Sequence, residues 1–88
     1  MSQVTGSMTA TGATAPVTGR KIDIAMDFGS GSVDVERRLP SGAWIKIATG
    51  ITADYNYIAE FPAPVAIRLN CTSYTSSIEY SLSTGPED

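Results

Sequence analysis

A period-two alternation of apolar and polar residues runs through this chain and sets its fold class. Within residues 64–83, PVAIRLNCTSYTSSIEYSLS, Val65, Ile67, Leu69 and Cys71 alternate with Ala66, Arg68 and Asn70. Further on, Ile78, Tyr80 and Leu82 alternate with Ser77, Glu79 and Ser81. Successive side chains on a strand point to opposite faces, so each set has one buried and one solvated side. A loop over residues 72–75 sets Leu69 opposite Ile78, Ile67 opposite Tyr80 and Val65 opposite Leu82, with Arg68 opposite Glu79 on the polar face. Slipping the register by one residue would oppose apolar to polar, so the stretch is expected to be a hairpin in this register. The Arg68–Glu79 pair marks it and, exposed, would add about 0.2–1 kcal/mol.

The same period recurs upstream. Ile22, Ile24, Met26 and Phe28 alternate with Lys21, Asp23 and Asp27; Gly29-Ser30-Gly31-Ser32 follows as a turn signal; then Val33, Val35 and Leu39 alternate with Asp34, Glu36 and Arg38. A hairpin here would place Asp23 near Arg38 and Asp27 near Asp34. Like charges across a ladder are unfavourable, so a bulge or a nearby cation is expected. Arg37 has apolar-face parity and is expected to kink the strand or reach a partner at the sheet margin. Pro40-Ser41-Gly42 reads as a three-residue hairpin loop with Gly42 left-handed. It pairs Val35 with Ile47, Glu36 with Lys46 and Arg38 with Trp44, where a cation–π stack is expected. Residues 53–59 form a further strand, and Phe61-Pro62-Ala63-Pro64 a break, because prolines cannot feed a central ladder.

No segment carries a helical period. The fold expected is all-β: a small antiparallel β-sandwich of five to seven short strands with an extended N-terminal arm. The arm covers residues 1–19, the sandwich domain 20–84 and a tail 85–88. Residues 1–16, MSQVTGSMTATGATAP, are low in complexity and uncharged. Such an arm orders by lying along something, through Val4 and Met8 on a neighbouring subunit or on its own domain.

Composition narrows function mainly by exclusion. The chain has 88 residues, enough for one domain. A domain of this size buries only roughly 60–65% of its unfolded surface. Charged residues make up 17%, against about 25% in ordinary soluble domains; that suits a protein hiding surface in an assembly. A net charge of −3 argues against nucleic acid and against an anionic membrane surface. No run is long and apolar enough to span a membrane, and the first residues lack the basic-then-apolar pattern of a secretory leader. The one cysteine, Cys71, cannot form an internal disulfide and has core parity. Asn70-Cys71-Thr72 is read as a chance glycosylation sequon.

Histidine is absent, and with it the usual general base and commonest metal ligand. No nucleophile elbow, zinc-protease, P-loop or dinucleotide signature occurs. Gly29–Ser32 mimics a phosphate cradle but has no helix after it. Asp23, Asp27, Asp34, Asp54 and Asn56 are too sparse for a Ca²⁺ loop. No enzyme, cofactor or metal site is expected. Trp44, Tyr55, Tyr57, Tyr74 and Tyr80 could form a carbohydrate platform, but core and subunit contact account for them better. Tyr74, at an expected loop tip, is the best exposed contact anchor. The candidate protein-interface residues are therefore Val4, Met8, Arg37, Trp44 and Tyr74.

Two stretches resemble a known group. Arg38, Ser41, Gly42 and Trp44 follow the order of an "R-S-x-D-G-G-x-x-W" hairpin in a span two residues shorter. Arg68, Leu69, Cys71, Thr72, Tyr74, Thr75, Ser76, Ile78, Tyr80, Leu82 and Ser83 follow the order of "Y-R-L-x-C-T-x-Y-T-S-G-x-I-x-Y-x-L-S", with one residue fewer between Ser76 and Ile78. Ser77 departs from the glycine of that pattern and Ile67 from its first tyrosine. Over roughly the last 55 residues the chain thus resembles small β-rich structural proteins of tailed bacteriophages. The resemblance implies a virion protein made in the host bacterial cytoplasm. Its most plausible role is as a capsid decoration, or cement, protein on the outer shell. Its implied partners are the major capsid protein and neighbouring copies of itself, as a homo-oligomer or on the capsid lattice. The alternative reading is a receptor- or carbohydrate-binding module on a tail or fibre, using Tyr74 and Trp44.

Overall fold

The computed structural model describes residues 3–84 and is all-β, forming a single antiparallel sheet of five strands. The strands are β1 (Gln3–Met8), β2 (Gly12–Ala13), β3 (Val17–Arg38), β4 (Trp44–Ile51) and β5 (Tyr55–Thr84). Their order is β1-β5-β3-β4, with β2 attached to β5. Two strands dominate: β3 has 22 residues and β5 has 30.

Neither hairpin expected at Gly29–Ser32 or at residues 72–75 forms. Both stretches are strand, and they pair with each other: Ser30 with Ser76, Gly31 with Tyr74, Ser32 with Ser73. The ladder runs from Ile22–Thr84 through Phe28–Ile78 to Val33–Cys71 and Arg37–Ile67, partner numbers falling as β3 advances. Leu69 therefore faces Val35 instead of Ile78, and Arg68 faces Glu36 instead of Glu79. The physical reason lies at Gly31. Its φ is +142°, and a Cβ there would collide with the Ser73 carbonyl oxygen. Glycine in a strand marks a bend or a close backbone approach as often as a turn, and here the two long strands draw together over small residues. The register slips beside Tyr74 and again beside Cys71, so Thr75 and Thr72 are bulged.

The hairpin between β3 and β4 forms as expected. Leu39 and Ala43 close it (N–H to O=C, 2.7 Å), Gly42 takes φ +96°, and Glu36–Lys46 and Arg38–Trp44 are in register. A slip beyond Glu36 then pairs Val35 with Ala48 in place of Ile47. Pro62 and Pro64 sit where β5 steps out of its ladder, between Glu60–Lys21 and Val65–Gly19, so neither proline needs a donor.

The core is one cluster built from all parts of the sheet. Ile22, Ile24, Val33, Val35, Ile67, Leu69, Cys71, Ile78 and Leu82 are each less than 2% exposed. A flat single sheet cannot bury a face this fully, so the sheet must bend over its own apolar side. The pairing shows how: residues 22–26 are bonded to 55–59 on one side and 80–84 on the other, and Ile67 pairs with both Val17 and Arg37.

The N-terminal segment lies on its own domain. Val4 pairs with Leu82 and Met8 with Ile78, Met8 is 6% exposed within the core, and Val4 packs against it. Thr14 fastens the next stretch, donating its N–H to the Leu69 carbonyl at 2.8 Å and accepting the Leu69 N–H at 3.1 Å. The first strand of the domain proper begins at Val17, three residues ahead of the expected boundary at residue 20. The tail at 85–88 lies outside the described residues.

Candidate interaction surface

The sheet has two unpaired margins near one end of the fold. β4 is an edge strand, and the first stretch of β5, residues 55–60, is bonded only to β3. Large apolar side chains stand exposed on both. Ile45 and Ile47 on β4 are each 43% exposed, and Tyr57 and Ile58 on β5 are 56% and 50% exposed. Tyr57 lies opposite Ile24 and Ile45 opposite Arg37, so both have the inward parity and yet stand exposed. β4 ends at Ile51 and β5 begins at Tyr55. Four Cα steps bridge at most about 14 Å, so the two margins start close together.

On the outer face, two carboxylates are buried and paired. Glu36, 5% exposed, accepts Arg68 Nε–H at 2.7 Å and an Asn70 Nδ2–H at 3.1 Å. The Arg68 guanidinium lies 4.1 Å from the centre of the Trp44 ring. The cation–π stack on Trp44 thus comes from Arg68, not Arg38: Arg68 stands opposite Glu36 on β3 and reaches across that strand to Trp44 on β4. Asp34, 4% exposed, accepts the Gly50 N–H at 3.0 Å and an ion pair from Lys46 at 3.0 Å. The Gly50 hydrogen bond, aided by Lys46, holds its carboxyl below the ordinary value of 3.8 despite the opposing effect of burial. A cation does attend Asp34, but Asp27 is not its neighbour: Asp27 faces Glu79 across the ladder, both exposed.

The remaining polar residues singled out in the sequence are dispersed. Asp23 accepts from Asn56 Nδ2 at 2.8 Å in place of pairing with Arg38, and Asp54 accepts the Phe28 N–H at 2.8 Å. Among the described residues no three metal-ligating groups stand together. The aromatics do not assemble either. Tyr55 and Tyr57 touch, with ring centres 6.4 Å apart, and burial raises the Tyr55 hydroxyl above its ordinary value of 10.0. Tyr74 and Tyr80 pack against the core. Tyr74 is half-buried in mid-ladder, not at a loop tip. Of the candidate interface residues, Val4 and Met8 face their own core and Trp44 is half-covered by Arg68, which leaves Arg37 at the rim.

Arg37 stacks on Phe61, its guanidinium carbon 5.3 Å from the ring centre, beside a groove between the β3–β4 hairpin and residues 61–66. The alternation does not mark Phe61, Ile45, Ile47 or Ile58 as surface features, and Tyr57 is expected from the sequence only as one of several aromatics in the core, a subunit contact or a carbohydrate platform. Alternation says which face a residue takes but not whether its strand ends up at an edge.

Among the described residues no helix is long and apolar enough to cross a membrane. The chain matches no known protein family, no curated protein and no solved structure.

Proposed function

We propose that this chain is a non-catalytic assembly module, a capsid decoration protein of a tailed bacteriophage that binds the outside of the major capsid protein shell. The observation that carries the reading is the pair of unpaired sheet margins with Ile45, Ile47, Tyr57 and Ile58 43–56% exposed. Unpaired backbone beside exposed large apolar side chains is a template for association, which native sheets otherwise blunt with charge, proline or cover. In this reading the two halves of the bent sheet act as the layers of a sandwich, and the open side between β4 and residues 55–60 meets the shell or a neighbouring copy. The likeness of the Arg38–Trp44 and Arg68–Ser83 stretches to phage structural proteins supplies the virion context. Weak contacts repeated over a lattice multiply through valency, so a small domain suffices.

The test is copy number. Quantitative mass spectrometry of gradient-purified particles should find the chain in hundreds of copies on separated heads. A handful of copies on tails would favour the receptor-binding alternative, and absence from particles would end the virion reading. Heads carrying Ile45→Asp, Ile47→Asp chain should lose it on dilution while the purified variant keeps its far-ultraviolet spectrum.

A further inference from the structure

Among the described residues, one buried side-chain nitrogen has no hydrogen-bond partner: Nε of Arg37. Burying a guanidinium N–H without an acceptor is unfavourable, and such a group asks for an explanation. Its surroundings are as specific. The chain has six lysines and arginines. Lys46 pairs with Asp34 and Arg68 with Glu36, and Arg20 and Lys21 also make interactions. Arg37 and Arg38, adjacent in sequence, make no ion pair with a carboxylate among the described residues. Both line the same groove, about 480 Å³ in volume, whose other walls are Leu39, Pro40 and residues 61–66.

We infer that this groove is a docking site for an extended, carboxylate-bearing segment of a partner protein. An Asp or Glu side chain would meet the Arg37 guanidinium, with Arg38 adding positive charge where it lines the same groove, and its apolar flanks would lie on Leu39, Phe61 and the prolines. The planar guanidinium fork matches a carboxylate in two parallel hydrogen bonds, and Arg37 is already fixed against Phe61. The apolar walls offer area to a peptide and nothing to a bare anion. Ile45, directly opposite Arg37 on the edge strand β4, extends the surface toward backbone groups that a peptide strand can pair with. The net charge of −3 opposes a polyanionic nucleic-acid occupant, and the local positive charge of Arg37 and Arg38 suits a single carboxylate. The site stands on the groove itself and holds whichever assembly recruits the chain.

The probe is a mixture of blocked hexapeptides with a central Glu between apolar residues, compared with the matched Gln mixture, sodium acetate and phosphate. The readout is the Arg37 Nε–Hε resonance of the full-length ¹⁵N-labelled chain, assigned by its loss in Arg37→Lys. The Glu mixture is expected to shift it saturably and at least tenfold more tightly than the Gln mixture or acetate. Arg37→Met should abolish binding while raising Tm by roughly 4–8 °C, because an unsatisfied buried donor is removed. No shift, equal shifts with Glu and Gln, an equal response to phosphate, or a groove already closed by self-association would each overturn the inference. A fall in Tm for Arg37→Met would make Arg37 a structural residue and overturn it too. Head binding can fail without touching this result, so the two readings are separable.

Discussion

Arg68 offers the sharpest perturbation, because its partner distinguishes a long β3–β5 ladder from a local C-terminal hairpin. Its Nε–H bonds Glu36, whose side chain is 7% exposed against 27% for Arg68. Glu36→Ala deletes two charge-assisted hydrogen bonds, to Arg68 and to Asn70. Breaking a buried pair costs about 3–5 kcal/mol. Arg68 and Asn70 are half-buried and can partly rehydrate, which places the loss near the low end, about 3 kcal/mol, or roughly 12–24 °C in Tm. In a double-mutant cycle with Arg68→Ala, the coupling should be about 1.5–3 kcal/mol, the worth of a hydrogen bond to a charged group. Glu79 is exposed and faces Asp27. Its own cycle with Arg68 should give a coupling within about 0.5 kcal/mol of zero, and Glu79→Gln should be neutral or slightly stabilising. The assay is urea unfolding followed by circular dichroism and by Trp44 emission, which reports the Arg68 stack directly. Coupling to Glu79 above about 1 kcal/mol with none to Glu36 would refute the long-ladder reasoning.

Three further outcomes are expected. Gly31→Ala should cost about 1–3 kcal/mol in urea unfolding, since φ +142° and the Ser73 carbonyl both resist a Cβ. Deleting residues 1–13 should lower Tm of the isolated chain sharply, because β1 and β2 are removed and Met8 leaves the core; Met8→Ala alone should cost about 2 kcal/mol or more. An unchanged Tm would mean the N-terminal strands are not part of the domain. Asp34 has a lowered folded value, so its contribution is fully present above the ordinary carboxylate value of 3.8 and is lost as pH falls through the lowered one. In Asp34→Asn the acid limb of a stability–pH profile should accordingly flatten below about pH 4; an identical acid limb would remove Asp34 from the account.

The residues revealed the faces more readily than the partners. Parity placed Ile22, Ile24, Val33, Val35, Ile67, Leu69, Cys71, Ile78 and Leu82 inward, and each is buried. The Pro40–Gly42 turn was legible because its glycine has a conformational duty that only a tight loop explains. The prolines at 62 and 64 told of a break in the ladder. What alternation could not resolve was which strand meets which. Gly29–Ser32 and residues 72–75 carry turn chemistry, and local hairpins satisfy the apolar parity as well as the long ladder does. The deciding contacts, Gly31 against Ser73 and Arg68 against Glu36, join residues more than thirty positions apart. The groove at Arg37 was half-visible: its parity marked an arginine on the apolar side, but Phe61 lies beyond a strand and a loop. Edge position, which exposes Ile45 and Tyr57, is a property of the whole sheet.

The most direct test is a map of backbone nuclear Overhauser contacts in the full-length chain. Strong cross-strand contacts should join the Asp27–Glu79, Ser32–Ser73 and Glu36–Arg68 pairs, with none between the backbones of Leu69 and Ile78. Backbone contacts of Leu69 with Ile78 and of Phe28 with Val33 instead would mean two separate hairpins, and the bent sheet, its open margins and the Arg37 groove would all fall with them.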